Sequence, residues 1–182
     1  MRFDEVDNLF KEEQSRVMLC EVPVSPEEAI NIASTVENVG LIIVDFSDLM
    51  IKGETTESAM AHIYRTLMVG AKTMHVPVIL LSQLNRYEGG LPKPNNFRYT
   101  GLAEALGWML IMLYNANTDW HGRDDNCPLP AVRNTAYALV WKVRGGFREH
   151  KDEAPGAIMM PFRGDKGWHS TQSKWYSLQN EI

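Results

Sequence analysis

Leu41-Ile-Ile-Val-Asp45-Phe-Ser-Asp48 decides the fold: after Val39-Gly40, four apolar residues in a row end at a carboxylate with turn-forming polar residues behind it. A short apolar run rich in β-branched residues predicts a strand buried on both faces of a parallel sheet. Its last residue is then an Asp at the carboxyl edge, where open α/β sheets bind ligands. A carboxylate at that edge can hold the magnesium of a bound nucleoside triphosphate. The competing reading is a core strand whose Asp only caps the next turn.

Working outward, Val76-Pro-Val-Ile-Leu-Leu-Ser82 repeats this grammar and ends in Ser82-Gln83-Leu-Asn85-Arg86. Two strands that deliver polar groups to one sheet edge are better evidence of a site than one. Between them, Thr56 to Met74 carries Met60, Ile63, Leu67 and Ala71 on one helical face. Upstream, Ser25-Pro-Glu-Glu28 has an N-cap Ser, a Pro at the first helical position and a Glu three residues after the cap, so a helix runs from there to about Val36. Arg16-Val-Met-Leu-Cys20 reads as a strand, which with that helix and strand 41–45 predicts a βαβ unit with a right-handed crossover. Residues 1–15, with Phe3, Val6, Leu9 and Phe10 at helical spacing, predict an amino-terminal helix.

Downstream, residues 87–99 are rich in glycine and proline and predict a long surface loop. Arg86, Lys93 and Arg98 lie there beside Tyr87, Phe97 and Tyr99, a basic and aromatic mixture suited to a nucleic-acid backbone and its bases. A short helix from Gly101 leads to a buried strand, Trp108 to Tyr114. Residues 115–134 predict an exposed insertion whose Asp119, His121, Asp124, Asp125 and Cys127 are too few and too scattered for a metal site. Ala136 to Arg144 alternates along a strand towards Gly145-Gly146, a hairpin signal, with Ala157 to Phe162 returning. Residues 164–168 and 175–178 predict one last hairpin. Lys142 and Arg144, two apart on a strand, share a face. Like charges side by side cost stability unless an anion lies beyond them, although solvated edge charges that block aggregation are an equal alternative.

Composition bounds these readings. With 182 residues, 45% hydrophobic and 23% charged, the chain is expected to form one ordinary globular domain. No apolar run approaches the ~20 residues of a membrane helix, and the acidic start is not a signal peptide, so a cytoplasmic location is expected. Cys20 and Cys127 form neither a zinc pattern nor a disulfide framework. Residues 1–60 hold four Lys/Arg against thirteen Asp/Glu, while residues 61–182 hold fourteen against ten. Contacts with a polyanion therefore belong to particular loops of the second part.

The order of Leu41-Ile-Ile-Val-Asp45-Phe-Ser-Asp-Leu-Met50, Val76-Pro-Val-Ile-Leu-Leu-Ser-Gln83-Leu-Asn-Arg86, Gly101 with Glu104, and Trp141-Lys142-Val-Arg144-Gly-Gly146 resembles the later two-thirds of the motor domain of DnaB-type replicative helicases, phage members included. Ser-Gln-Leu-Asn-Arg is the most specific piece. The resemblance implies an α/β fold, a RecA-like P-loop NTPase core with a largely parallel sheet flanked by helices and antiparallel carboxyl-terminal strands, as a single partial motor domain over residues 1–182. It implies an ATP-dependent DNA helicase that translocates on single-stranded DNA, with ATP and Mg2+ as cofactors. By the same resemblance Asp45 is the Walker B Asp that holds magnesium, and Gln83 the sensor between γ-phosphate and DNA loops. Lys142 and Arg144 are the pair that reaches into a neighbouring subunit's nucleotide site. Arg98, Tyr99 and Gly101 belong to the loop that grips single-stranded DNA, with Arg86 and Lys93 assisting.

Departures narrow this expectation. No Gly-x-x-x-x-Gly-Lys-Ser/Thr occurs in these residues, so the Walker A strand, loop and helix are missing. Glu21 is the only nearby carboxylate to replace the residue that polarises water, and it lies on the wrong strand. Asp48 stands where the family commonly has Gln, and Leu106 and Trp108 replace acidic residues. The expected partner is therefore a homo-oligomeric ring or a helicase subunit that supplies Walker A, with no membrane involved. Alternatives are a helicase-derived regulator or single-strand-binding module without catalysis, and a RecA- or RadA-like recombinase fragment.

Overall fold

Ser25 opens the first helix, α1 (Pro26–Thr35), through reciprocal bonds. The Glu28 amide donates to Ser25 Oγ at 3.2 Å, and the Ser25 amide donates to the Glu28 carboxylate at 2.7 Å. That second bond, with Lys52 nearby, holds Glu28 below the usual carboxylate range. The computed structural model describes residues 17–53, 56–85, 91–97, 101–115, 129, 135–144, 156–163, 167–168 and 174–177. Its backbone divides into two compact units, Cys20–Arg86 with Pro94–Gly107, and Met1–Leu19 with Tyr87–Lys93 and Trp108–Ile182. The helix expected over residues 1–15 lies outside the described residues.

In the first unit α1 is followed by β1 (Ile42–Val44), a 3-10 turn over Ser47–Met50, α2 (Glu57–Met74), β2 (Val78–Leu80) and the short α3 (Gly101–Leu106). Thr56 caps α2 by accepting the Ala59 amide, and His75, in the left-handed region at φ 55°, ends it. Met60, Ile63 and Leu67 of the expected face of α2 are buried, together with Ala61, Tyr64 and Gly70, while Ala71 is only half-buried.

Gly70 on α2 packs against Ile30 on α1. A Cβ added there would stand 2.6 Å from Ile30 Cγ1, so only glycine fits without displacing Ile30. Overpacking costs about 1–3 kcal/mol, against about 1 kcal/mol gained when alanine replaces glycine in a helix. Gly70→Ala is therefore expected to destabilise by about 1 kcal/mol in urea unfolding. In an Ile30→Ala background the same change is expected to stabilise by about 1 kcal/mol. Equal effects in the two backgrounds would remove the packing explanation.

β1 and β2 pair in parallel, Ile42 with Val78, Ile43 with Ile79 and Val44 with Leu80, and α2 connects them and packs on β2. Two expectations are corrected here. Val17–Cys20 form no strand and are exposed, so the βαβ unit is β1–α2–β2, one step later in the chain than expected. Nor is β1 buried on both faces: Val44 is buried, but Ile43 is 61% exposed and Leu41, Ile79 and Leu81 are open beside it. Apolar character on both sides of a strand records what it can bury. Burial itself needs a covering layer, and among the described residues one covers a single face.

The second unit is an antiparallel sheet of β3 (Met109–Tyr114), β4 (Thr135–Val143), β5 (Gly156–Arg163), β6 (Gly167–Trp168) and β7 (Lys174–Ser177). Tyr137, Leu139 and Ala157 are fully buried at its centre. β3, expected to be buried, is buried on one face only: Leu110 and Met112 are covered, while Met109, Ile111 and Leu113 are exposed. β4 departs from its expected alternation, because Thr135–Leu139 are buried without interruption. β4 and β5 pair antiparallel as the expected hairpin strands, Thr135 against Pro161 through Val140 against Gly156, while Gly145 and Gly146 lie outside the described residues. The last two strands form no hairpin with each other. β6 pairs along Phe162 and Arg163 and β7 along Gly156–Met159, so they follow one another along β5. Helices, a parallel strand pair and carboxyl-terminal antiparallel strands together make the α/β class expected from the sequence. No helix among the described residues is long and apolar enough to cross a membrane.

Candidate nucleotide site

The register of β1 on β2 sets the geometry at their carboxyl ends. The Leu81 amide donates to Val44 O at 2.9 Å, and the Ser47 amide donates to Leu81 O at 3.0 Å, which carries the ladder past both strands. Asp45 and Gln83, one residue past β1 and three past β2, are therefore held at the ends of adjacent parallel strands, each exposed to solvent. The peptide bond between Asp45 and Phe46 is cis.

Beneath this edge sits a cluster that the sequence did not reveal. Ser47 is fully buried, with its hydroxyl 3.3 Å from Ser82 Oγ and 3.5 Å from Asp48 Oδ1. The Ser82 hydroxyl is also 3.2 Å from Tyr64 Oη on α2. Burial, and more weakly the charge of Asp48, push the Tyr64 phenol above its usual range, while the bond to Ser82 works the other way. Tyr64 is thus a neutral hydroxyl at physiological pH. The serine hydroxyls bond within the cluster, and the exposed Asp45 carboxylate is a charged oxygen donor at the strand ends, beside the neutral amide of Gln83. Magnesium keeps several waters and takes one or two carboxylates plus phosphate oxygens, and an exposed carboxylate at a sheet edge suits that donor set. Among the described residues no three His, Cys, Asp or Glu side chains cluster as a protein-only metal site.

The loop after Gln83 returns to it. Leu84 forms an antiparallel bridge with Phe97, and the Asn85 amide donates to Asn96 O at 2.7 Å. Phe97 is buried, so it anchors the loop and is not an exposed stacking face, a correction to its grouping with Tyr87 and Tyr99. Gly101 starts α3 in the open. Arg86, Arg98 and Tyr99 lie outside the described residues. Lys93 is exposed and belongs to the second unit.

Lys142 and Arg144 stand at the end of β4 in that unit. Lys142 lies opposite Leu110, Val140 lies opposite Ile111, and Trp141 is the extra residue of a β-bulge between them. A bulge bends its strand and re-aims the side chains that follow, so simple two-residue alternation does not decide where these two cations face. Lys142 is half-buried. Arg144 is exposed just beyond the strand, with its amide donating to Trp108 O at 2.8 Å.

A parallel strand–helix–strand unit with polar groups at its carboxyl ends, followed in the chain by antiparallel strands, fits the RecA-like α/β fold. The chain belongs to the DnaB-like helicase C terminal domain family, whose model matches residues 8–151. Among solved structures it is similar in fold to a DnaB-like replicative helicase described with its interactions with primase. That similarity has a TM-score of 0.59 at 20% identity, over 78% of this chain and 33% of that one. The chain thus spans about a third of that helicase's length. No curated protein matches it.

Proposed function

We propose that these residues are the carboxyl-terminal motor part of an ATP-dependent replicative DNA helicase, working on single-stranded DNA in the cytoplasm of a bacterium or a phage-infected host. The observation that carries the reading is the join between site and loop. Gln83 follows β2 at the edge that holds Asp45, and its neighbour Leu84 is bridged to Phe97, the residue before Arg98. A side chain so placed suits a sensor that links nucleotide to DNA.

In this reading Asp45 holds magnesium through water, and bound Mg2+ and ATP supply the charge neutralisation and the phosphoryl group. Gln83 reports the γ-phosphate by its amide, and Arg98, Tyr99 and Gly101 grip the strand, with Arg86 and Lys93 alongside. Lys142 and Arg144 act on the nucleotide of a neighbouring subunit in a ring. The phosphate-binding loop comes from residues outside these 182. The open apolar face of Leu41, Ile43, Ile79 and Leu81 supports a further layer of that kind.

The test has two arms. The chain alone is expected to show no DNA-stimulated ATP hydrolysis, because most triphosphate affinity resides in the phosphate loop, and a subunit with that loop is expected to restore it. Turnover by the chain alone that disappears in Asp45→Asn would overturn the incomplete-motor reading. Arg98→Ala is expected to weaken oligo-dT binding and to reduce the slope of log affinity against log salt by about 0.7, one contact to a single strand. An unchanged slope removes Arg98 from the DNA loop. Absence of hydrolysis in every combination, with DNA binding intact, favours the non-catalytic single-strand-binding module.

A further inference from the structure

The sensor reading of Gln83 leaves open what holds that residue still, since its own side chain is exposed. We propose that Ser47 and Tyr64 are positioning residues for Gln83, acting through the hydroxyl of Ser82; this rests on the function proposed above and assigns the support of that site.

Three elements converge on Leu81 and Ser82. From the turn after β1, Ser47 places its Oγ 3.3 Å from Ser82 Oγ while its amide grips Leu81 O. From α2, Tyr64 places its Oη 3.2 Å from the same oxygen. From β1 itself, Val44 O receives the Leu81 amide. The backbone is therefore fixed by ladder bonds up to Leu81 and by side chain at Ser82, and Gln83 is the first residue beyond this grip.

Each hydroxyl donates once and accepts up to twice, and an ionised carboxylate only accepts. Ser47 donates to Ser82 Oγ at 3.3 Å, with Asp48 Oδ1 as a second acceptor at 3.5 Å, and Ser82 and Tyr64 share a further hydrogen bond at 3.2 Å, so both Ser47 and Tyr64 hold the Ser82 hydroxyl. Ser47 is wholly buried and Tyr64 nearly so, so loss of the Ser82 hydroxyl leaves two buried hydroxyls short of a partner. The same turn carries Asp45 two residues before Ser47, which ties the two strand ends that bear Asp45 and Gln83 to one buried cluster.

The experiment uses the full 182-residue chain. Tyr64→Phe and Ser82→Ala each remove one hydroxyl, and Ser82→Thr keeps it. The reporters are the side-chain amide signal of Gln83 in 1H–15N spectra, assigned by its loss in Gln83→Glu, and the affinity for an oligo-dT probe across a salt series. The Gln83 signal is expected to move in Tyr64→Phe and Ser82→Ala and to stay in place in Ser82→Thr. Affinity in the first two is expected to fall about threefold, the scale of one net hydrogen bond. The salt slope is expected to stay unchanged, because no phosphate contact is lost. If Tyr64→Phe does not fold, Ser82→Ala against Ser82→Thr carries the comparison. A Gln83 signal unmoved in folded Tyr64→Phe and Ser82→Ala overturns the positioning role. A signal that moves while Gln83→Ala itself leaves oligo-dT affinity unchanged upholds the positioning and overturns the sensor reading.

Discussion

Arg144→Ala is expected to lower ATP turnover of the chain, assembled with a subunit that supplies the phosphate loop, by about 10³-fold or more, the scale of an arginine finger. A guanidinium at the transferring phosphoryl group offsets charge that develops only in the transition state, so the loss falls on kcat. The substitution leaves the backbone bond from residue 144 to Trp108 O in place. Exposed side chains of this kind contribute within about 0.5 kcal/mol to stability, so unfolding midpoints are expected to match. Arg144→Lys is expected to recover little, because an ammonium lacks the planar fork of donors. Oligo-dT affinity is expected to be unaffected. Turnover within twofold of the parent would remove Arg144 from the nucleotide site.

The second large effect concerns the antiparallel sheet. Leu139→Ala is expected to cost about 2–5 kcal/mol in urea unfolding, as for other buried leucines. Leu139 is wholly buried in β4, between strands on both sides. Ile111→Ala, on the neighbouring strand, is expected to cost under about 1 kcal/mol, because its side chain is already half in water. The contrast tests which face of the sheet is covered in the 182-residue chain. Similar costs at the two positions would mean that a layer covers Ile111 as well.

These experiments separate two kinds of information. Ser25, Pro26 and Glu28 announce a helix start because a capping box closes within four residues, and Thr56 caps α2 by a single bond from the Ala59 amide. The order Asp45, Ser82-Gln83, Gly101, Lys142-x-Arg144 identified the family before any coordinates, since each is a local run of residue types in a fixed sequence. The strand ends that carry Asp45 and Gln83 were equally legible, because an apolar run followed by polar residues is a local pattern.

Other features depended on residues far apart in the chain. Whether β1 has one covered face or two is decided by which layers pack on it, and the composition of residues 41–44 is the same in either case. The bulge at Trp141 is a mismatch in register between β3 and β4, which neither strand encodes by itself. Phe97 reads as an exposed aromatic in its loop until its bridge to Leu84 buries it. Ser47, Tyr64 and Ser82 stand 17 and 18 positions apart and belong to no motif. The sequence alone thus determined the caps, the strand ends and the family, through interactions that close within a few residues. The tertiary structure decided which apolar faces are covered and which hydroxyls meet, because burial and hydrogen bonding between distant segments exist only once the chain has folded.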